Sequence, residues 1–234
     1  AARSVAASQT IQFFPDELEA EDSLSNATAV ASEEAAALRR EEGSAAHQRS
    51  DHSVEFARNL RLSAVRRDHV AVFADDQNEV WALQGTELES VCTPAVLVKS
   101  LGISDRSVLI GQKDGTIGSC TLDEHDFRTL YQDVRRAPVS AIAASGDESL
   151  VVAGSASGRA YLGRPHTDDR PWSRLESGEP VSAAAVASHG GVFALARTDG
   201  RIHLYDTDSP RSELSNFEAG DVVAMTFSND GHLL

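Results

Sequence analysis

Histidine and carboxylate side chains are the residues of this chain most suited to metal or acid–base chemistry. The eight histidines are scattered, and none forms the helical i, i+4 pair or the close cluster of a metal site. His166, near Asp168 and Asp169, comes closest, but that segment is typical of a polar loop. The carboxylate pairs Asp75-Asp76 and Asp168-Asp169 fall in turn sequences, where Asp accepts backbone hydrogen bonds. We therefore predict no metal site, no cofactor and no acid–base pair.

Two glycine-containing segments superficially resemble catalytic loops. A nucleophile elbow over residues 154–158 would need serine at Ala156. A phosphate loop over residues 111–116 would need other glycine spacing and a following helix, so that its amides surround a nucleotide. Both segments are typical of a strand end followed by a tight turn, and the sequence predicts no catalytic residue.

Arginine pairs are the remaining candidates, for binding. Arg66-Arg67 and Arg135-Arg136 stand out against an acidic background, and guanidinium groups favour bidentate contacts with carboxylate or phosphate. The alternative is that each pair forms weak surface ion pairs with nearby acids.

The composition is that of an acidic globular protein. The 234 residues include 41% hydrophobic residues and carry a net charge of −15, enough apolar material for a core. The charge argues against nucleic acid as a partner, except through a local arginine patch or within a larger complex. Two lysines against nineteen arginines fit either halophilic adaptation or a GC-rich genome. No apolar stretch is long enough to cross a membrane, so we expect a cytoplasmic protein without membrane insertion.

The two cysteines, Cys92 and Cys120, lie in apolar, strand-like segments without zinc-site spacing. Sparse cysteine usage favours buried free thiols. A disulfide between adjacent sheets is the alternative.

A strand-rich unit recurs about every 42 residues. The turn glycines Gly115, Gly158 and Gly200 are 43 and 42 residues apart, and Val139, Val181 and Val222 keep the same step. Each unit contains four short apolar runs separated by polar turns. Four complete units and the start of a fifth, DVVAMTFSNDG from Asp221, are visible. We predict an all-β fold, a β-propeller of four-stranded blades.

The repeats resemble those of the WD40-type propeller family in period and turn glycines; other propellers with similar blades, such as quinoprotein-like ones, are the alternative. Leu204-Tyr205-Asp206 occupies the place of that family's Trp-Asp dipeptide. The resemblance covers roughly residues 58 to 234 and implies a docking surface on the face that carries the Asp-Gly turns. It assigns partner binding to Arg135, Arg136, Lys113 and Asp199.

The ends of the propeller segment leave two questions open. Rings of this family usually close with more blades, so we expect that further chain or a partner completes the circle. Residues 53–56 precede the first unit and are either the outermost strand of the closing blade or a connector.

Residues 1–52 differ from the rest and are predicted to be an acidic, Ala-rich arm, partly helical or extended. Acidic residues follow Pro15, which suits a solvated tail or a first helical turn. Ser32 precedes EEAAALRREE and Gly43 follows it, which predicts a short helix near 33–42.

The leading functional hypothesis is a noncatalytic protein-interaction scaffold, with residues 53–234 as the propeller and one or more protein partners. Rigid repeated sheets with variable loops suit that role. The alternatives are a cofactor-dependent or hydrolytic propeller enzyme whose site lies in blades outside this sequence, and a sensor module of a multidomain regulator.

Overall fold

The computed structural model describes residues 9–13, 52–56, 60–65, 70–85, 87–166, 172–175, 178–187 and 190–228. Every regular element among them is a β-strand. The chain divides into two compact units, Ala1–Leu60 and Arg61–Leu234, whereas the predicted boundary follows residue 52. The predicted helix near 33–42 and the acidic stretch after Pro15 lie outside the described residues. No helix with the length and apolarity to cross a bilayer occurs in the described ranges.

The first unit contains a two-stranded antiparallel sheet. Strand β1 (Gln9–Phe13) pairs with β2 (His52–Phe56), with Ile11 opposite Val54. Residues 53–56 therefore belong to β2, and they pair with β1, a strand that was not predicted from the sequence. Five residues give little periodicity, and the pairing partner is distant in sequence, so the local pattern of β1 was a weak signal.

The remaining strands form four antiparallel sheets of four strands each. Blade 1 contains β3 (Leu60–Val65), β4 (Val70–Asp75), β5 (Val80–Gln84) and β6 (Glu87–Cys92). Blade 2 contains β7 (Val98–Ile103), β8 (Ser107–Gln112), β9 (Thr116–Thr121) and β10 (Phe127–Gln132). Blade 3 contains β11 (Val139–Ala144), β12 (Val151–Ser155), β13 (Ala160–Gly163) and β14 (Trp172–Arg174). Blade 4 contains β15 (Val181–Val186), β16 (Val192–Arg197), β17 (Arg201–Asp206) and β18 (Glu213–Glu218). The predicted β-propeller fold is confirmed.

The hydrophobic core lies between blades. In β8, Val108 and Ile110 pack with blade 1, whereas Leu109 packs with blade 3. In β12, Val151 and Ala153 face blade 2, and Val152 faces blade 4. Because successive side chains of a strand point to opposite faces, a strand covered on both faces must be apolar throughout. This is why the second strands are continuous apolar runs, while β18 is exposed along its length.

A small residue opposite a valine sets the spacing of adjacent blades. Val139 and Val181 each begin the first strand of a blade and pack against Gly111 and Gly154 of the preceding one; a Cβ on either glycine would overlap the valine. The same valines are followed by a bulge, where the register shifts. Close sheet approach is a usual reason for glycine inside a strand.

Hydrogen bonds join the first strands of neighbouring blades at the same level. Ser100 Oγ donates to the Val139 carbonyl at 3.0 Å, and Ser140 Oγ donates to the Val181 carbonyl at 2.6 Å. These bonds satisfy polar groups that would otherwise be buried without partners. Blades 2, 3 and 4 are therefore linked by both apolar and polar contacts.

The start of the predicted fifth unit is different. Residues 221–228 form no regular strand, only an isolated bridge at Phe227. Val222, Met225 and Phe227 pack on blade 4, but Val223 is 89% exposed. This segment has an apolar contact on one side, whereas the first strands of blades 3 and 4 also pack against further strands of their own sheets.

The two cysteines are bonded to each other, contrary to the favoured prediction of free thiols. Cys92 at the end of β6 and Cys120 in β9 form a disulfide with a Cα–Cα distance of 6.4 Å, so the favoured prediction of free thiols is wrong. Cys92 lies opposite Val80 at the end of the outermost strand of blade 1, where the side chain faces the next blade. In blade 3 the equivalent position is occupied by Leu175. Linear spacing did not reveal that the two strands face each other.

Substituting Gly154 tests the spacing between blades. We expect Gly154→Ala to lower the free energy of unfolding by about 1–3 kcal/mol, because the added methyl overlaps Val181. Gly191→Ala is the matched control: a Cβ there meets nothing within 4 Å, and its effect should stay within about 0.5 kcal/mol. Urea unfolding measures both. Equal effects from the two variants would refute the packing argument.

Reduction tests the link between blades 1 and 2. The disulfide joins residues separated by 28 positions, and a crosslink of this kind stabilises by about 2–4 kcal/mol. Urea unfolding of the full chain should show that loss when a reductant is added. The double variant Cys92→Ala/Cys120→Ala, which is the control, should respond to reductant by no more than the error of the measurement. The disulfide would be contradicted if the reductant left the stability of wild type unchanged and two free thiols were titrated before reduction.

Candidate docking surface on the turn face

One end of the blades carries both the turns between second and third strands and the connections from blade to blade; we call it the turn face. Its backbone repeats the same hydrogen bonds. The amides of Lys113, Ala156 and Thr198 donate to the carbonyls of Leu97, Pro138 and Pro180 at 2.8, 2.9 and 2.9 Å. Each turn is thereby tied to the connection that enters its blade, so the loops of this face are held by the sheets.

In blade 2 the turn also holds the connection that leaves the blade. The Asp133 amide donates to the Gly115 carbonyl at 3.1 Å. Gly115 has a φ of +83°, and a Cβ there would lie 3.0 Å from the Arg136 Cα. Glycine is favoured on both counts. The turn of Lys113 and the loop of Arg135-Arg136 are therefore neighbours, as the sequence analysis expected.

The loop itself has a defined shape. Arg136 has a φ of +54°, and its amide donates to the Asp133 carbonyl at 2.9 Å. Val134 is 92% exposed at the tip, while Arg135 and Arg136 are also exposed. The backbone turn thus presents two cations and one apolar side chain to solvent.

A buried ion pair lies beneath this loop. Arg159 Nη1 donates to both carboxylate oxygens of Asp133 at 3.3 Å, and the two side chains are only 8% and 4% exposed. Asp133 directly follows the last strand of blade 2 and Arg159 directly precedes the third strand of blade 3, so the pair crosses the boundary between blades. A buried charge needs such compensation.

Aromatic side chains also pack across the boundary between blades 2 and 3. Tyr131 lies 5.1 Å from Tyr161 and 5.1 Å from Trp172, measured between ring centroids. Burial, with the Asp133 carboxylate as the next cause, raises the pKa of Tyr161 to about 12. Burial likewise raises the pKa of Tyr131. Both phenols are therefore neutral packing groups at physiological pH.

The three predicted cations of this surface have no ion-pair partner in the described part of the chain. The nearby acids are already engaged. Asp133 binds Arg159, and Asp114 accepts hydrogen bonds from the Thr116 amide at 3.1 Å and from Gln132 Nε2 at 3.4 Å. Lys113, Arg135 and Arg136 form what we call the basic patch.

The fourth predicted residue lies elsewhere on the turn face. Asp199 is in the corresponding turn of blade 4, where its carboxylate accepts the Arg201 amide at 3.1 Å. It is exposed but separated from the basic patch by the turn of blade 3. Arg66-Arg67 lies outside the described residues.

The histidine singled out as nearest to a metal site lies at the other end of the blades. His166 Nε2 is 3.4 Å from the Glu148 carboxylate, which accepts a hydrogen bond from Ser104 Oγ at 2.5 Å. Asp168 and Asp169 are outside the described residues. Nowhere in the described ranges do three or more His, Cys, Asp or Glu side chains converge as a metal site requires.

Sequence analysis missed the residues that support the basic patch. Arg159 directly follows its turn glycine, as Arg201 does in blade 4, but Arg201 pairs with the exposed Glu218, so the repeat carried no signal for the pairing of Arg159 with Asp133. The buried cation Arg197 was missed for the same reason; its Nη1 donates to the Glu179 carbonyl at 2.8 Å. Only the exposed arginine pair could be recognised, because it contrasts with an acidic composition.

The four sheets and the hydrogen-bonded turn face together define a β-propeller. No family model matches the chain, and no curated protein matches it. Two solved structures are similar. One is the computationally designed Ika8 protein, at 17% identity with a TM-score of 0.57, covering 74% of this chain and 57% of that one. The other is Hsv2 of Kluyveromyces lactis, at 16% identity with a TM-score of 0.57, covering 77% and 59%. The chain thus spans less than two thirds of either structure, and the similarity shows the fold alone.

Removing Asp133 tests the buried pair. Asp133→Ala should lower the free energy of unfolding by about 3–5 kcal/mol, because Arg159 is left buried without its partner. Glu218→Ala is the control, because it breaks an exposed ion pair: the Glu218 side chain is 83% exposed and that of Arg201 is 49% exposed. This change should lower the free energy of unfolding by less than about 1 kcal/mol. In urea unfolding, a loss for Asp133→Ala no larger than for Glu218→Ala would contradict the assignment.

Proposed function

We propose that this protein is a noncatalytic interaction scaffold whose turn face binds a protein partner, as a WD40-like subunit of a larger complex or multidomain protein. The observation that carries the proposal is the basic patch: exposed cations that meet no carboxylate partner within the described ranges, held by a hydrogen-bonded turn and loop. Lys113, Arg135 and Arg136 make the central contact, and Asp199 lies at the margin of the same face.

The basic patch adds little to the stability of the fold. Exposed cations without ion-pair partners contribute little to stability. The Arg136 backbone conformation, at a φ of +54°, is one that side-chain-bearing residues adopt uncommonly. A strained backbone that displays unpaired charge on rigid sheets favours a role in recognition. Exposed Val134 adds an apolar contact beside the cations.

The cytoplasmic location expected from the sequence is part of the proposal. The Cys92–Cys120 disulfide is an observation against it, since such bonds persist mainly in oxidising compartments. Alkylation of free thiols in intact cells, followed by measurement of the protein's mass, distinguishes a cytoplasmic location from an oxidising compartment. Two alkylated cysteines would support the cytoplasm, and none would refute it.

Affinity capture with the full chain tests the scaffold function. The variant Lys113→Ala/Arg135→Ala/Arg136→Ala should lose most of the proteins that wild type captures at low salt, because it removes the charge that attracts them. Wild-type capture should also weaken at high salt, which screens exposed charges.

The control variant removes the same number of cations elsewhere. Arg106→Ala/Arg128→Ala/Arg211→Ala changes exposed residues, and Arg106 and Arg211 lie at the opposite end of the blades, before β8 and after β17. It should capture the same proteins as wild type. Undiminished capture by the turn-face variant would exclude this surface, and failure of wild type to retain any protein would exclude the function.

A further inference from the structure

We propose that the basic patch recognises an acidic segment of the partner protein, a short run of Asp and Glu with an apolar residue among them. This inference rests on the proposed function and names the chemistry of the partner. The basic patch comprises Lys113, Arg135 and Arg136, with Val134 at its edge.

The charge of the patch is available because neither Asp133 nor Asp114 forms an ion pair with its cations in the described part of the chain. Asp133, within the same connection, is buried and bound to Arg159 at 3.3 Å. Asp114, beside Lys113, accepts hydrogen bonds from Thr116 and Gln132. Burial of Asp133 prevents it from folding back onto Arg135 or Arg136. The cations therefore have their bonding capacity free for carboxylates supplied from outside, to which guanidinium groups bind in bidentate geometry.

The patch is small and bordered by acids. Beyond the turn of blade 3, the turn face carries exposed Glu179 and Asp199. At physiological ionic strength, exposed charges act over about 8 Å, so a short segment can be attracted by the patch despite the net charge of −15. A nucleic acid has regularly spaced phosphates and extends over the bordering acids, which would repel it.

Val134 indicates that the ligand is not purely ionic. Its side chain is 92% exposed at the tip of the loop, directly before Arg135. An apolar residue in an acidic segment would cover it, and burial of apolar surface strengthens binding independently of salt. A protein segment supplies both kinds of group, whereas a simple anion supplies only charge.

Fluorescence anisotropy with the full-length chain tests the inference. The probe is a labelled peptide of Glu and Asp residues around one Leu, and its counterpart has Gln and Asn in place of the acids. The acidic peptide should bind and the amide peptide should not. Lys113→Ala/Arg135→Ala/Arg136→Ala should weaken binding about tenfold, as expected for three exposed charge pairs. Arg106→Ala/Arg128→Ala/Arg211→Ala should change it by less than about twofold. Val134→Ser should weaken binding to a degree that added salt does not alter.

Several outcomes would overturn the inference: no binding of the acidic peptide, equal binding of the amide peptide, or equal weakening by the two triple variants. Tighter binding of a phosphoserine peptide or of single-stranded DNA than of the acidic peptide would assign the patch to another anion. If affinity capture depends on the turn face while the acidic peptide fails to bind, the scaffold function stands and only the partner chemistry is wrong. If neither triple variant loses capture, the turn face is excluded as the binding surface; if wild type captures no protein, the proposed function itself is excluded.

Discussion

Packing of each blade against its neighbours is the constraint on which the rest of this structure depends. In blades 2 and 3 the second strand has no polar face, because the preceding blade covers one side and the following blade covers the other. The sheets can approach closely only where a small residue meets a valine, as Gly154 meets Val181. An isolated blade would expose both of its apolar faces, so stability belongs to adjacent pairs of blades, as in other repeat architectures.

The boundaries between blades are closed by different chemistry although the backbone repeats. A disulfide joins blades 1 and 2, an ion pair and stacked aromatic rings join blades 2 and 3, and Leu175 packs among apolar side chains between blades 3 and 4. In blade 4 the corresponding side chain, Phe217, opposite Ile202 in the sheet, is 43% exposed. The repeat therefore specifies where the boundary contact lies and leaves its chemistry free to vary.

The same variation connects packing to the proposed function. At the boundary of blades 2 and 3, the buried pair of Asp133 and Arg159 draws one carboxylate out of the connecting loop and into the protein. The arginines that follow in that loop have no ion-pair partner among the described residues, and their backbone is hydrogen-bonded to the turn of Gly115. Stability and recognition are thus coupled at one loop, because a single buried acid decides the charge of the surface above it.

The sequence by itself determined the fold class, the four blades and nearly all strand positions, because burial on both faces enforces apolar runs and tight turns enforce glycine at a constant period. The resemblance of its repeats to WD40-type blades also implied that Lys113 and Arg135-Arg136 share one face, and in the structure the turns and connections do lie at one end of the antiparallel strands. The strand β1, the disulfide and the pairing of Asp133 with Arg159 were decided only by the tertiary structure. Each depends on a contact between residues distant in sequence that is not repeated among the described blades, so neither local propensity nor period could encode it.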